Sequence, residues 1–289
     1  MRLRERAPGR VKDAGRAAAE ALGRASAPMR MLPRFLIVGA QRCGTTSLYR
    51  ILARHPQVVA PAFHKGVHYF DTAERYRRGL SWYQGHFPVR ALADRRALGG
   101  PAVTGEASPY YVFHPLAPAR IAQALPGVRL VLLLRDPVER AFSAHKQETH
   151  RGFETEPFER ALELEDSRLA GEEERMLADP GYQSFAHQHH AYRRRGQYAD
   201  QVARLYELFG RDRVHVAMTD ELFAADGERW DALVRFLGIA PWRPERMQRA
   251  NARPSAPMAA SVRAQLEASF TASDEALTTL LGEVPAWRR

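Results

Sequence analysis

Cysteine, lysine and long apolar runs are the scarce features of this chain. One cysteine, Cys43, stands among 289 residues. A single thiol closes no internal disulfide, so a disulfide-stapled secreted scaffold is excluded and a reducing, cytoplasmic setting is expected. No stretch approaches the roughly 18 apolar residues of a membrane-spanning helix, and none is expected. The basic N-terminus is followed by no apolar core, so no secretory signal is expected either. Lysine occurs only at Lys12, Lys65 and Lys146, which leaves 40 of the 43 basic residues as arginine.

What is present is ordinary for a folded domain. Hydrophobic residues make up 45% and charged residues 26%, which excludes disorder along the whole length. The net charge is +10, but residues 1–34 carry +6 of it. The body is only mildly basic, which argues against a nucleic-acid binder. Residues 1–33, rich in Ala, Arg and Gly, are expected to form a basic flexible tail, with a short helix allowed near Asp13–Leu22. Residues 34–289 then form one domain.

The apolar pattern within that domain alternates between strand and helix. Phe35 to Val38 is a short continuous apolar run, the mark of a buried strand, and Gly39 ends it. Leu48, Ile51 and Leu52 share a helical face that closes at Pro56. Val128 to Leu134 is a second buried strand, and Arg135-Asp136-Pro137 opens a helix reaching about His150. Asp136 is its natural N-cap and Pro137 its first residue. Glu154 to Glu174 is strongly acidic and reads as an exposed helical excursion. Tyr198, Val202, Leu205, Tyr206 and Phe209 form one helical face. Val214 to Met218 is a strand, and Leu233, Val234 and Leu237 mark a helix after it. This alternation implies an α/β single domain with a central parallel sheet flanked by helices.

Between the first strand and its helix lies Gly39-Ala40-Gln41-Arg42-Cys43-Gly44-Thr45-Thr46. A strand, a glycine-bearing turn and a helix N-terminus direct backbone N–H groups and the helix dipole at an anion. The glycines have the spacing of a nucleoside-triphosphate loop, but Thr45 stands in the lysine position. That lysine reaches the β and γ phosphates, so its absence counts against a kinase or ATPase. A P-loop-like phosphate-binding turn for a single phosphate group, with Arg42 beside it, is the expectation. Arg135 sits at the carboxyl end of a parallel strand, where such sheets bind ligands, and Ser143 lies two helical turns on. An arginine and a hydroxyl placed there suit a second phosphate.

The two motifs together, Ile37 to Ser47 and Leu134 to Ser143, resemble the sulfotransferases that use 3′-phosphoadenosine 5′-phosphosulfate (PAPS). The resemblance is to the heparan-sulfate-type carbohydrate sulfotransferases and their bacterial relatives. Val67-His68-Tyr69-Phe70-Asp71, Gly79 to Tyr83, Gly105 to Tyr111 and Phe236-Leu237-Gly238 fit the same group. The resemblance spans roughly residues 34 to 289. It implies that Gln41, Arg42, Cys43, Gly44, Thr45, Thr46 and Ser47 hold the 5′-phosphosulfate of the donor. Arg135 and Ser143 hold the 3′-phosphate, and no metal takes part. Arg253 falls where relatives close a basic motif over the nucleotide, or is an ordinary surface arginine. The implied acceptor is a hydroxyl or amine of a carbohydrate, glycolipid or small metabolite.

Two departures from that group matter. Relatives usually place lysine at the Arg42 position. Arginine keeps the charge but is a far weaker proton donor, so Arg42 is expected to stabilise the leaving group by charge and hydrogen bonds. Relatives also carry a glutamate base where this chain has Gly66. His68, Glu106 and Asp71 are the candidates to replace it. His68 is preferred because a neutral imidazole suits proton removal near neutral pH, against the alternative of a satisfied core histidine. Asp71 and Glu106 then orient the imidazole or bind the acceptor, and Glu106 as a structural partner is the competing reading. Loss of the glutamate also leaves open a catalytically inactive nucleotide-binding protein. His187, His189 and His190 read as a polar face rather than a metal site. Arg193-Arg194-Arg195 reads as a solvated run or an acceptor contact, Trp82 and Tyr83 as core, and Cys43 as a small packing residue.

Overall fold

Four short strands form the centre, each parallel to its neighbours. A computed structural model describes residues 9–61, 65–224, 227–245 and 258–289. The strands are β1 (Phe35–Gly39), β2 (Gly105–Ala107), β3 (Arg129–Leu134) and β4 (Val214–Met218). Their order across the sheet is β2-β1-β3-β4. Phe35 pairs with Gly105 on one side and Arg129 on the other, and Leu130 to Leu134 pair with Val214 to Met218. Every residue of β1 is buried, as is every residue of β3 after Arg129. Such strands have helices on both faces, which is why their apolar runs are continuous. Burying each Leu or Ile contributes roughly 1.5–3 kcal/mol relative to exposure.

The helices follow in chain order. α1 (Gly9–Ala25) precedes the sheet, and α2 (Thr45–Leu52) follows β1. α3 (Ala73–Arg77), α4 (Leu80–Gln84) and α5 (Arg90–Arg96) fill the crossover to β2. α6 (Ala117–Ala124) leads to β3, and α7 (Pro137–Arg151) leaves it. α8 (Phe158–Leu169), α9 (Glu172–Ala178), α10 (Phe185–His189) and α11 (Tyr198–Phe209) lead back to β4. α12 (Thr219–Leu222), α13 (Glu228–Leu237) and α14 (Ala260–Leu281) complete the described residues. One apolar cluster gathers Phe35 to Val38 of β1, Leu130 to Leu134 of β3 and the faces of α2, α11 and α13. A second lies between α7, α8 and α14.

The three strands and four helices expected from periodicity are present, and the parallel α/β architecture stands. Three features differ. β2 was not anticipated, because three residues beginning with glycine carry no alternation. α14 was not anticipated either. The N-terminal segment, expected as a basic tail with a short helix allowed near Asp13–Leu22, carries the longer α1 from Gly9: Glu20 of α1 accepts from Arg78 Nη1 at 2.7 Å and from Trp82 Nε1 at 3.3 Å. Ser26, Ala27 and Met31 are buried. Alanine-rich composition favours that helix, and small residues let it approach closely. A Cβ on Gly23 would lie 2.9 Å from the Gly85 carbonyl oxygen at the C-terminus of α4. No helix of the described residues is long and apolar enough to cross a membrane.

Candidate active site

The turn after β1 is held to the ends of two other strands. Ala40 N–H donates to Leu133 O at 2.8 Å. The Thr219 hydroxyl contacts both Cys43 O (2.7 Å) and Leu134 O (2.9 Å). Gly44 takes φ +86° as the N-cap of α2, a conformation that glycine adopts without strain. The first turn of α2, Thr45-Thr46-Ser47, therefore presents backbone N–H groups that lack intrahelical acceptors. Cys43 is fully buried below the turn, with its Sγ 3.6 Å from Tyr198 Oη, and burial pushes its thiol pKa up. It packs beneath the turn with no exposed surface.

Arg42 joins the turn to α7. Its Nε donates to Ser143 Oγ at 3.0 Å and its Nη1 to Gln147 Oε1 at 3.1 Å. Its φ of +74° is unusual for a side chain of this size. The two motifs read from the sequence thus meet through one guanidinium. Asp136 caps α7 as expected, accepting from Val138 N–H at 2.9 Å. Arg135 leaves the end of β3 half-exposed, its Nη2 3.7 Å from Glu139 Oε2. Its carbonyl accepts from Tyr198 Oη at 2.9 Å. Arg253 lies outside the described residues.

Lys65 was missed by the sequence reading. Its Nζ is 2.5 Å from Thr46 Oγ1, so an ammonium reaches the first turn of α2 from another segment. Burial, and then Arg50, lower its pKa. Its own carbonyl accepts from Ala107 N–H at 2.7 Å, which fixes it to the end of β2. The only sequence signal was its rarity: it is one of three lysines and stands next to the Gly66-Val67-His68 motif.

Gly66 leaves no space for a carboxylate. A Cβ there would lie 2.4 Å from Ala107 O and 3.0 Å from Ser108 Oγ. The adjacent buried carboxylate is Glu106, on β2. Its Oε2 accepts from Val67 N–H (2.6 Å) and Ser108 Oγ (3.0 Å). Its Oε1 accepts from the Tyr83 and Tyr111 hydroxyls at 2.7 and 2.9 Å. Burial raises its pKa, opposed by these donors and by His68. With no exposed surface and four donors, Glu106 is arranged as an anchor and not as a group facing an acceptor.

His68 is held by that anchor. Its backbone N–H donates to Ser108 Oγ at 3.1 Å, and Tyr69 N–H to Tyr111 Oη at 2.9 Å. Its φ is +51°, and with Arg42 it completes the pair of positive-φ non-glycine residues among the described residues. Strained backbone of this kind gathers at functional sites, where the surroundings enforce it. Its side chain is 40% exposed, and Nδ1 lies 2.8 Å from Oδ2 of the buried Asp71. Burial pulls the imidazole pKa down, but the Asp71 charge and hydrogen bond outweigh this and raise it. Donation from Nδ1 leaves the lone pair of the neutral ring on Nε2.

Elsewhere the structure separates groups that the sequence placed side by side. His187 Nδ1 pairs with Tyr110 Oη (2.7 Å), His189 Nδ1 with Glu148 Oε2 (2.9 Å) and His190 Nε2 with Phe153 O (2.8 Å). The arginine run is not wholly solvated: Arg195 is buried, donates to Gln41 Oε1, and lies over the Tyr110 and Phe113 rings. Burial lowers its pKa to about 10. Arg193 pairs with Asp166 at 2.8 Å. The acidic excursion is helical, but Glu154 and Glu165 within it are buried because they accept from Arg168 and from the Arg193 and Arg194 backbones. Trp82 and Tyr83 are core residues, Tyr83 stacking on Tyr69 at 4.8 Å.

Comparison with known proteins identifies the family. The sulfotransferase domain family matches residues 32–255. The chain belongs to the sulfotransferase family. A sulfotransferase structure from Alicyclobacillus acidocaldarius is 31% identical, covers 90% of this chain and all of that one, and has a TM-score of 0.64. The membrane-associated sulfotransferase kil1 of Dictyostelium discoideum is 37% identical over 114 residues, 39% of this chain and 22% of its own length. Human bifunctional heparan sulfate N-deacetylase/N-sulfotransferase 3 is 33% identical over 121 residues, 40% of this chain and 13% of its own. Mouse heparan sulfate glucosamine 3-O-sulfotransferase 5 is 30% identical over 119 residues, 41% of this chain and 32% of its own. The chain thus matches less than a third of the length of each of these three curated relatives.

Proposed function

We propose that the protein transfers a sulfuryl group from PAPS to a hydroxyl or amine of a carbohydrate, glycolipid or small-metabolite acceptor. One observation carries the reading: Arg42 spans from the phosphate turn to Ser143, while Lys65 reaches the same turn at Thr46. A donor with phosphate at two positions needs two cationic stations within one reach. The turn with Lys65, and the end of β3 with Arg135 and Ser143, fit that need. PAPS, when bound, supplies the sulfuryl group and the leaving phosphate. Lys65 and Arg42 are the cations for charge that develops on that phosphate, the part a nucleotide loop gives to its own lysine. His68 Nε2 accepts the acceptor proton, and Asp71 orients the ring and stabilises its protonated form. Glu106 is a positioning residue for this base. A cytosolic setting belongs to the same proposal, in keeping with the free buried thiol of Cys43.

A second reading, a nucleotide-binding protein without turnover, is favoured by the closed space at Gly66 alone. The test separates the two. Calorimetric titration with adenosine 3′,5′-bisphosphate is expected to show binding by wild type and its loss in Arg135→Ala. No binding by folded wild type sinks both readings. Binding without sulfuryl transfer in an acceptor screen leaves the second.

A further inference from the structure

A carboxylate stands beside Arg135, the cation assigned above to the 3′-phosphate. Glu139 lies one turn of α7 after Arg135. Left uncompensated, it would repel a phosphate and capture the arginine meant to bind it. The structure shows how it is occupied. Glu139 Oε1 accepts from Nη2 of Arg263, in the first turn of α14. Arg135 remains 3.7 Å from the other oxygen, beyond hydrogen-bond distance. Arg263 Nη1 also faces Glu267 at 3.8 Å, so its guanidinium is held on the α14 side. The hydrogen bond that Arg263 donates to Glu139 raises the Arg263 pKa, in keeping with a stable charge there. Lys146, whose Nζ lies over the Phe142 ring at 4.3 Å, also senses the charges of Glu139, Arg135 and Arg42. One carboxylate is therefore shared unequally between two arginines from different elements. The tighter share belongs to the arginine outside the matched family segment.

We propose that Arg263 is a positioning residue for the 3′-phosphate subsite: by holding Glu139, it leaves the Arg135 guanidinium available to a phosphate. The inference rests on the reading of Arg135 given above. Glu139 then keeps Arg135 aimed along α7 without competing for it. α14, which contributes nothing to the sheet, acquires a part in nucleotide selectivity.

The experiment is titration of wild type, Arg263→Ala, Glu139→Gln and the double variant with two ligands. Adenosine 3′,5′-bisphosphate carries the 3′-phosphate, and adenosine 5′-monophosphate lacks it. Wild type is expected to prefer the bisphosphate. Arg263→Ala is expected to lose about fivefold of that preference, on the scale of a partly exposed ion pair. Affinity for the monophosphate stays unchanged. The double variant recovers the preference, because the carboxylate charge that Arg263 neutralised is gone. Equal weakening of both ligands, or no recovery in the double variant, overturns the inference. Absence of any preference in wild type instead overturns the reading of Arg135, and the inference with it. Melting temperatures of all four proteins establish that each is folded, and Arg263→Lys, which keeps the charge, is expected to retain most of the preference.

Discussion

The phosphate turn and the segment from Lys65 to Asp71 meet at the contact between Lys65 and Thr46, yet they are held by different means. The turn is suspended between a strand and a helix, and backbone carbonyls of β3 and the Thr219 hydroxyl anchor it. The Lys65–Asp71 segment contains no helix or strand. Beyond the backbone bond from Ala107 N–H to Lys65 O, it hangs on the side chains of Glu106, Ser108 and Tyr111, which hold Val67, His68 and Tyr69 by their N–H groups. Backbone anchoring tolerates many side-chain changes. A segment held largely by a buried carboxylate and two hydroxyls does not. The difference predicts where substitutions damage binding, where they damage turnover and where they damage the fold.

The largest effect is expected at His68, the proposed base. His68→Ala should lower kcat about a thousandfold while leaving bisphosphate affinity nearly unchanged, as removal of a general base does. A comparable loss of affinity, seen by calorimetry, would place His68 in the nucleotide half instead. Next comes Lys65→Met, which should reduce kcat about a hundredfold, on the scale of losing one charge-stabilising donor. Single-turnover kinetics check this, and an unchanged chemical step would remove Lys65 from the reaction.

Stability effects follow. Glu106→Gln cannot serve four donors and should cost about 2–3 kcal/mol, measured by denaturant unfolding. Its kcat should fall as well, because His68 loses its support. Gly66→Ala should cost about 1–3 kcal/mol through the clash with Ala107 O, and Gly66→Glu should not rescue His68→Ala. Rescue would show that the segment can open to admit the carboxylate.

The smallest effect is a shift in pH dependence. His68 must be neutral to accept a proton, so activity should rise with pH through its raised pKa. Asp71→Asn removes the charge that raises it, and the limb should move to lower pH. In stability the sign is opposite: the His68–Asp71 contribution is fully present below the ordinary imidazole pKa and is lost as pH rises through the raised one. A limb that stays in place in Asp71→Asn would mean that another group titrates.

Much of the half proposed to hold the nucleotide is legible in the sequence. Gly39 to Thr46 and Arg135 to Ser143 are contiguous segments whose strand and helix context is written in apolar periodicity. The half proposed to face the acceptor is only partly so. His68 and Glu106 are visible as candidates, but the division of labour between them is not. It depends on which of the two is buried, and burial at β2 follows from a three-residue strand with no pattern of its own.

By itself, then, the chain's sequence determined the strand and helix segments on either side of the Gly39–Thr46 turn, the Asp136 cap and the two motifs proposed to bind phosphate, because each is set by residues a few positions apart. Tertiary structure alone decided the rest. Lys65 meets Thr46 across 19 residues, Glu106 meets Val67 across 39, Arg263 meets Glu139 across 124 and Arg195 meets Gln41 across 154. No local propensity encodes a contact over such separations. It exists because the sheet and the helices packed on it bring distant side chains to one end of the strands, where a buried or half-buried charge must find a partner.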